Sequence, residues 1–416
     1  MAEWLKTSLI DIMDLIGGGT PKTSKAEYWG GNINWLSVKD FNNEIRYVYS
    51  TEKTITAEGL NNSSTKLLKK DDIIISARGT VGELAMIPFP MAFNQSCYGI
   101  RAKDGIDKTF LYYLLKYSVR KLKVMTHGSV FDTITRDTFA NIDVAIPDIE
   151  TQHRVAKLLA DIDDKVENNQ RINKNLEQQA EAVFKSWFED FAPFNEPLIE
   201  TPIGINVPAS LKMVQIADIP HVLETGKRPK GGAVTSGIPS IGAENVKQLG
   251  KVNLSSAKYI PEEFAAKMKT GAINGYELLL YKDGGKPGTF IPHFSMFGEG
   301  FPYQKFFINE HVFKLDFGNR GFNEFAYFFM QTDYAYHWLA NNGGKAAVPG
   351  INQQNVNDIW IFSPENSKVK EFGEWVQPLF TTILKNCAQN VKLGELRDTL
   401  LPKLMSGELD VSTLDF

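Results

Sequence analysis

The side chains with the clearest capacity for chemistry sit in short Gly-rich basic turns. In GGGTPK (17–22) three glycines offer backbone N–H groups, Thr20 a hydroxyl and Lys22 a cation. The turn SARGTVG (76–82) sets Arg78 and Thr80 around Gly79, where a missing Cβ lets backbone approach a phosphate. Lys39 adds a cation, and Asn94 and Gln95 are amides suited to the edge of an adenine. Ser129 lies just beyond Arg120, Lys121 and Lys123. Further along, GKRPKGG (226–232) concentrates Lys227, Arg228 and Lys230, KDGGKPG (282–288) supplies Lys282 and Lys286, and NNGGK (341–345) supplies Lys345. Each turn alone reads as solvated surface. Together they suit a polyanion.

Enzymatic templates fail. Lys227, Lys286 and Lys345 follow glycines but lack the remainder of a phosphate-binding loop. The six histidines form no HExxH pattern, and Cys97 and Cys387 make neither a framework nor a metal site. No GxSxG elbow occurs. The acid pairs Asp71-Asp72 and Asp163-Asp164 read as a strand entry and a solvated helix face. No catalytic residue and no metal site are expected.

The turns recur because the chain repeats. Shifted by a little over 200 residues, LK (5–6) meets LK (211–212), and INWLSVKDF (33–41) meets IPSIGAENV (238–246). DIIISARGTVG (72–82) meets ELLLYKDGGKPG (277–288), Asn94 meets Asn309, Phe110 meets Phe325, and ITRDTFANIDVAIP (134–147) meets INQQNVNDIWIFSP (351–364). A unit of about 208 residues is duplicated. One difference stands out: Arg78-Gly79-Thr80 faces Asp283-Gly284-Gly285, with the cations displaced to Lys282 and Lys286. The two copies therefore present unlike side chains at this turn.

Each unit opens with short alternating strands (33–38, 72–77, 141–146) around helical runs such as 110–122, and closes on a long helix. In the first helix Ile162, Val166, Leu176, Ala180, Val183 and Trp187 form a heptad seam interrupted by Asn169 and Asn173. The same two seam positions carry Asn386 and Asn390 in the second, so facing amides are expected to fix the register of a helix pair. A 39-residue helix spans about 58 Å and buries its stripe only against an equally long partner. The expected fold is α+β: two mixed α/β globules related by duplication, with two long antiparallel coiled-coil helices. The segments are 1–150 (first globule), 151–191 (first helix), 192–209 (a Pro-rich extended connector), 210–366 (second globule) and 367–416 (second helix).

Charge sets a condition on this reading. The net charge is −4, and residues 1–151 carry 18 charges of each sign. A polyanion must be held by local patches, or with a partner's help. No apolar run reaches membrane-spanning length and the first residues lack a secretory pattern, so a cytoplasmic protein is expected.

The strings GGGTPKTSKAEYWGGNINWLSVKD, DIIISARGTVG, FNQSCYG, GSVFDTI and LRDTLLPKLMSGEL resemble the specificity subunits of type I restriction–modification enzymes, over nearly the whole chain. The resemblance implies two target recognition domains, each reading half of a bipartite double-stranded DNA sequence. It implies antiparallel spacer helices that bind two modification subunits, which carry the S-adenosylmethionine and the methyl-transfer chemistry. A separate motor and nuclease subunit joins for restriction. Half-sites about one DNA turn apart, roughly 34–36 Å, would suit such a pseudo-symmetric reader. The alternative is a coiled-coil scaffold without DNA specificity, which explains the helices but not the recurring basic turns.

Overall fold

A computed structural model describes residues 4–41, 45–125, 133–254, 257–284, 286, 288–344 and 349–411. The chain divides into two units, one of residues 1–168 with 390–416 and one of residues 169–389. Both boundaries fall inside the long helices, Ile149–Phe188 and Ser367–Met405, so each unit owns a globule and one end of each helix.

The first globule holds two small sheets. The run DIIIS forms Ile73–Ser76, buried on both faces, with Cys97–Ala102 and Leu84–Met86 as neighbours and Met13–Gly17 at the edge. Asp72 enters that strand and takes the Arg101 guanidinium through both oxygens, at 3.0 and 2.6 Å. The second sheet pairs Trp29–Leu36 antiparallel with Lys53–Ile55 and parallel with Met91–Phe93, which takes Leu67–Leu68 on its other edge. A helix, Lys108–Met125, buries Phe110, Leu111, Tyr113 and Leu114 against the first sheet's core.

The second globule repeats most of this plan. Leu278–Tyr281 pairs with Val312–Asp316 and Phe294–Ser295, and Val222–Thr225 takes the edge. The parallel pairing Trp35–Ala92 reappears as Ser240–Phe307. The Ile134 N–H donates to the Ala77 carbonyl and the Ile351 N–H to the Lys282 carbonyl, at 2.9 and 2.8 Å. Capping boxes at Thr135 and Asn352 start equivalent one-turn helices. Where the first copy has the strand Leu67–Leu68, the second keeps a single bridge, Ala272–Phe307. The helix Lys108–Met125 of the first copy becomes two, Arg320–Phe329 and Asp333–Gly343.

Several expectations need adjustment. The connector folds into a two-stranded hairpin, Leu198–Glu200 with Asn206–Pro208. The landmark at LK (5–6) is off by one: the Leu9 and Ile216 N–H groups bond the Ile142 and Ile359 carbonyls alike, so Leu5 matches Lys212. Leu5 is exposed and Leu211 fully buried, so the shared letters do different work. Asp163 is no solvated helix residue, because it is buried between Arg397 at 2.8 Å and the Tyr113 hydroxyl at 2.7 Å.

In each unit the helices run antiparallel, Asp163 beside Arg397 in one and Asn173 beside Asn386 in the other. Ile162, Val166, Ala180, Ile383 and Leu404 are buried along the seam. Phe184 and Phe188 lie off that heptad and fill the second core with Phe325 and Phe372.

One buried acid sets a pH dependence. Glu324 is fully buried; its Oε1 takes Arg320 at 3.0 and 2.8 Å, and its Oε2 has no partner among the described residues. Burial pushes its carboxyl up to about 7, against the pull of Arg320. Between the unfolded value, near 4.5, and about 7, the folded state holds a proton that the unfolded state lacks. Stability therefore falls as pH rises through that window, by about 3 kcal/mol for this group. Glu324→Gln is expected to remove that slope from melting temperatures recorded across about pH 4.5–7.5. An unchanged slope in the variant would assign it elsewhere.

Candidate nucleic-acid interface

In each globule three loops meet where the strands of the two sheets end. In the first, the GGGTPK loop leaves its strand and packs on the end of Met91–Phe93: the Gly19 N–H donates to the Phe93 carbonyl at 3.0 Å, and the Trp35 indole N–H donates to the Gly19 carbonyl at 3.0 Å. A Cβ at Gly18 would lie 2.0 Å from the Asn94 carbonyl oxygen, and one at Gly226 would lie 1.6 Å from that of Ile308. These glycines serve close backbone packing, and the Gly19 N–H is spent inside the protein rather than offered to a phosphate.

The second loop is the turn 77–82. Gly79 and Gly82 hold left-handed φ values of +80° and +84°, and the Ser76 hydroxyl donates to the Thr80 carbonyl and accepts the Glu83 N–H. This frame leaves Arg78, Gly79 and Thr80 exposed, with no ion-pair partner for Arg78 among the described residues. The third loop follows Phe93. Asn94 anchors it, donating its N–H to the Leu36 carbonyl at 2.9 Å and accepting the Ser96 N–H on Oδ1 at 3.1 Å. Asn94 thereby builds the turn, and Gln95 is the amide presented to solvent, where it accepts the Thr20 hydroxyl. Lys22 is exposed, and Lys39 lies 3.8 Å from Glu52 with both side chains largely in solvent.

The second globule repeats the frame with different side chains. Asn309 donates its N–H to the Ile241 carbonyl and accepts the His311 N–H on Oδ1, both at 2.9 Å. Lys227 and Lys230 are exposed, while Arg228 pairs through Nε with Glu310 at 2.9 Å. Lys282 bonds Asp283 at 2.7 Å and lies over the Phe313 ring, and Lys286 is exposed. Asp283 also takes His311 Nδ1, and His311 Nε2 lies 3.3 Å from Glu310. Burial opposes the charge on Asp283, but the hydrogen bonds from Lys282 and His311 outweigh it and hold the carboxyl below its usual range. Ser129 and Lys345 lie outside the described residues.

Asp283, Glu310 and His311 were not among the expected residues. The signal for two of them lay directly after the matched Asn94 and Asn309.

On the helices, the Asn386 amide donates to Asn173 Oδ1 at 2.8 Å, and the Asn173 amide donates to the Ile383 carbonyl at 3.2 Å. Asn169 is fully buried and donates to Gln389 at 2.8 Å, while Asn390 begins the stretch of the second helix that belongs to the first unit.

Two sheet-rich globules built on one plan, with recurring exposed loops, match a known group. Residues 1–178 match the family model for the type I restriction modification DNA specificity domain. The MjaIX specificity subunit of Methanocaldococcus jannaschii is 29% identical over 99% of this chain and 95% of its own length. Over nearly its whole length the chain is similar to type I restriction specificity subunits. Among these relatives, the HindI specificity subunit of Haemophilus influenzae is 24% identical over 70% of this chain and 74% of its own. The fold agrees with a crystal structure of the S subunit of a type I restriction–modification system from M. genitalium, with a TM-score of 0.58, 16% identity and coverage of 97% and 96% of the two chains. No helix among the described residues is long and apolar enough to cross a membrane.

Proposed function

We propose that this chain is a type I specificity subunit that reads a bipartite duplex, one half-site per globule, without catalysing a reaction itself. The long helices set the unread spacer and dock two modification subunits, which bring S-adenosylmethionine; a restriction and motor subunit joins the same assembly. The observation that carries the reading is the recurrence of one three-loop cluster at the same sheet ends in both units, framed by Asn94 and Asn309. A scaffold needs the helices alone and gives no reason for matched loops with exposed Lys22, Arg78, Lys227, Lys230 and Lys286.

The small number of exposed loop cations, in a chain of net charge −4, fits a division of labour in which partners complete the grip on the backbone. The amides in the helix seam fit a register role, since a buried amide tolerates only the pairing that satisfies it.

Binding of labelled duplex to the complex with modification subunits, titrated over a salt series, tests the reading. Affinity is expected to fall steeply and linearly on logarithmic axes. Arg78→Ala is expected to weaken binding by about 1–3 kcal/mol; if Arg78 reads a base, one position of the first half-site relaxes with it. Salt-independent or absent binding would favour the scaffold, and an unaltered affinity and motif would remove Arg78 from the interface.

A further inference from the structure

The sheet registers place the reading loops of the two copies in correspondence. Ile75 pairs with Tyr98 and Gly17 with Tyr98 in the first globule; Leu280 pairs with Phe313 and Thr225 with Phe313 in the second. Counting on from Gly17 and Thr225, Gly18 matches Gly226, Thr20 matches Arg228, Pro21 matches Pro229 and Lys22 matches Lys230. Counting on from Asn94 and Asn309, Gln95 matches Glu310 and Ser96 matches His311. The bond from Thr20 to Gln95 and the ion pair of Arg228 with Glu310 are thus one interaction at one place, made by unlike groups.

The residues that hold the backbone are the same in both copies: the close-packed glycine, the proline and the turn-building asparagine. The side chains between them differ in chemistry. Thr20, Gln95, Ser96 and Arg78 carry one cation; Arg228, Glu310, His311 and Asp283 carry a cation at another position and two carboxylates. A shared scaffold with exchanged polar side chains is the pattern expected where the two copies must tell different ligands apart.

We infer that these positions are a base-reading pair, in which Gln95, oriented by Thr20, reads an A·T pair in the first half-site and Arg228, oriented by Glu310, reads a G·C pair at the equivalent step of the second. The inference rests on the DNA-reading function proposed above. An amide matches adenine N6 and N7, and a guanidinium matches guanine O6 and N7. Gln95 is exposed. Arg228 is half exposed and meets Glu310 through Nε, which leaves its two terminal nitrogens for a two-point contact. Thr20 and Glu310 are positioning residues: each fixes the side chain across the loop gap.

The test is methylation sequencing of DNA from cells expressing the full chain with its modification subunits. The chains compared are the unaltered one, T20R/Q95E, R228T/E310Q and E310Q. T20R/Q95E is expected to change one A·T position of the first half-site to G·C, and R228T/E310Q to make the reverse change in the second. In each case the other half-site and the gap remain as they were. E310Q, which keeps the shape of the side chain, is expected to retain methylation and lower discrimination at that one step by about 5- to 150-fold. An unaltered motif in a methylating double variant, or undiminished discrimination in E310Q, overturns the inference. If the unaltered chain yields no bipartite motif, the parent reading fails instead.

Discussion

Arg397→Met is expected to destabilise the first unit by about 3–5 kcal/mol, the cost of stripping one partner from a buried ion pair. Arg397 bonds Asp163 at 2.8 Å and Asp398 at 3.1 Å; Asp163 also takes the Tyr113 hydroxyl, and that oxygen accepts Arg46 at 3.3 Å. Arg46 continues to Asp164 at 2.6 Å, and Asp398 to Arg120 at 2.7 Å. Burial alone would lower the Arg397 guanidinium, but Asp163 and Asp398 overcome it and raise it, so the group stays charged. Without Arg397, a carboxylate 6% exposed keeps the Tyr113 hydroxyl as its one hydrogen-bond partner among the described residues. The pair Arg397→Met with Asp163→Leu is expected to recover much of the loss, since an apolar replacement of both partners leaves no orphan charge. Urea titration of the two variants beside the unaltered chain checks this. A loss below about 1 kcal/mol in the single variant would mean that water reaches Asp163 freely.

Phe372→Ala is expected to cost the second unit a similar amount, about 3–5 kcal/mol, by a different mechanism. Phe372 is fully buried, and its ring centroid lies 5.6–6.3 Å from those of Phe184, Trp187, Phe188, Phe325 and Phe328. Close-packed rings cannot collapse into the space left, so transfer and cavity terms add. Phe372→Leu is expected to lose considerably less. Equal losses in the two variants would show that ring geometry, rather than volume, holds this core.

The duplication was legible because strand-to-strand offsets survive substitution: shifts of 205, 215 and 217 residues describe the hydrogen bonds as well as the letters. Helix lengths were legible because one apolar seam repeats. Phe184 and Phe188 escaped notice because they face the globule, not the seam, and a heptad count sees only one contact direction. Asp163 escaped because its partner stands 234 residues away, and a charge in a helix reads as solvated until that partner is located. The loop pair was hidden for the opposite reason. Thr20 and Arg228 share no letter class, yet the backbone gives them one position.

The most direct measurement of the central claim is single-molecule methylation sequencing of cells that express this chain with its modification subunit, against cells lacking only this chain. The account predicts a new methylated motif in two unlike halves separated by a fixed gap. No new mark, with that modification subunit shown to methylate alongside another specificity subunit, would contradict it.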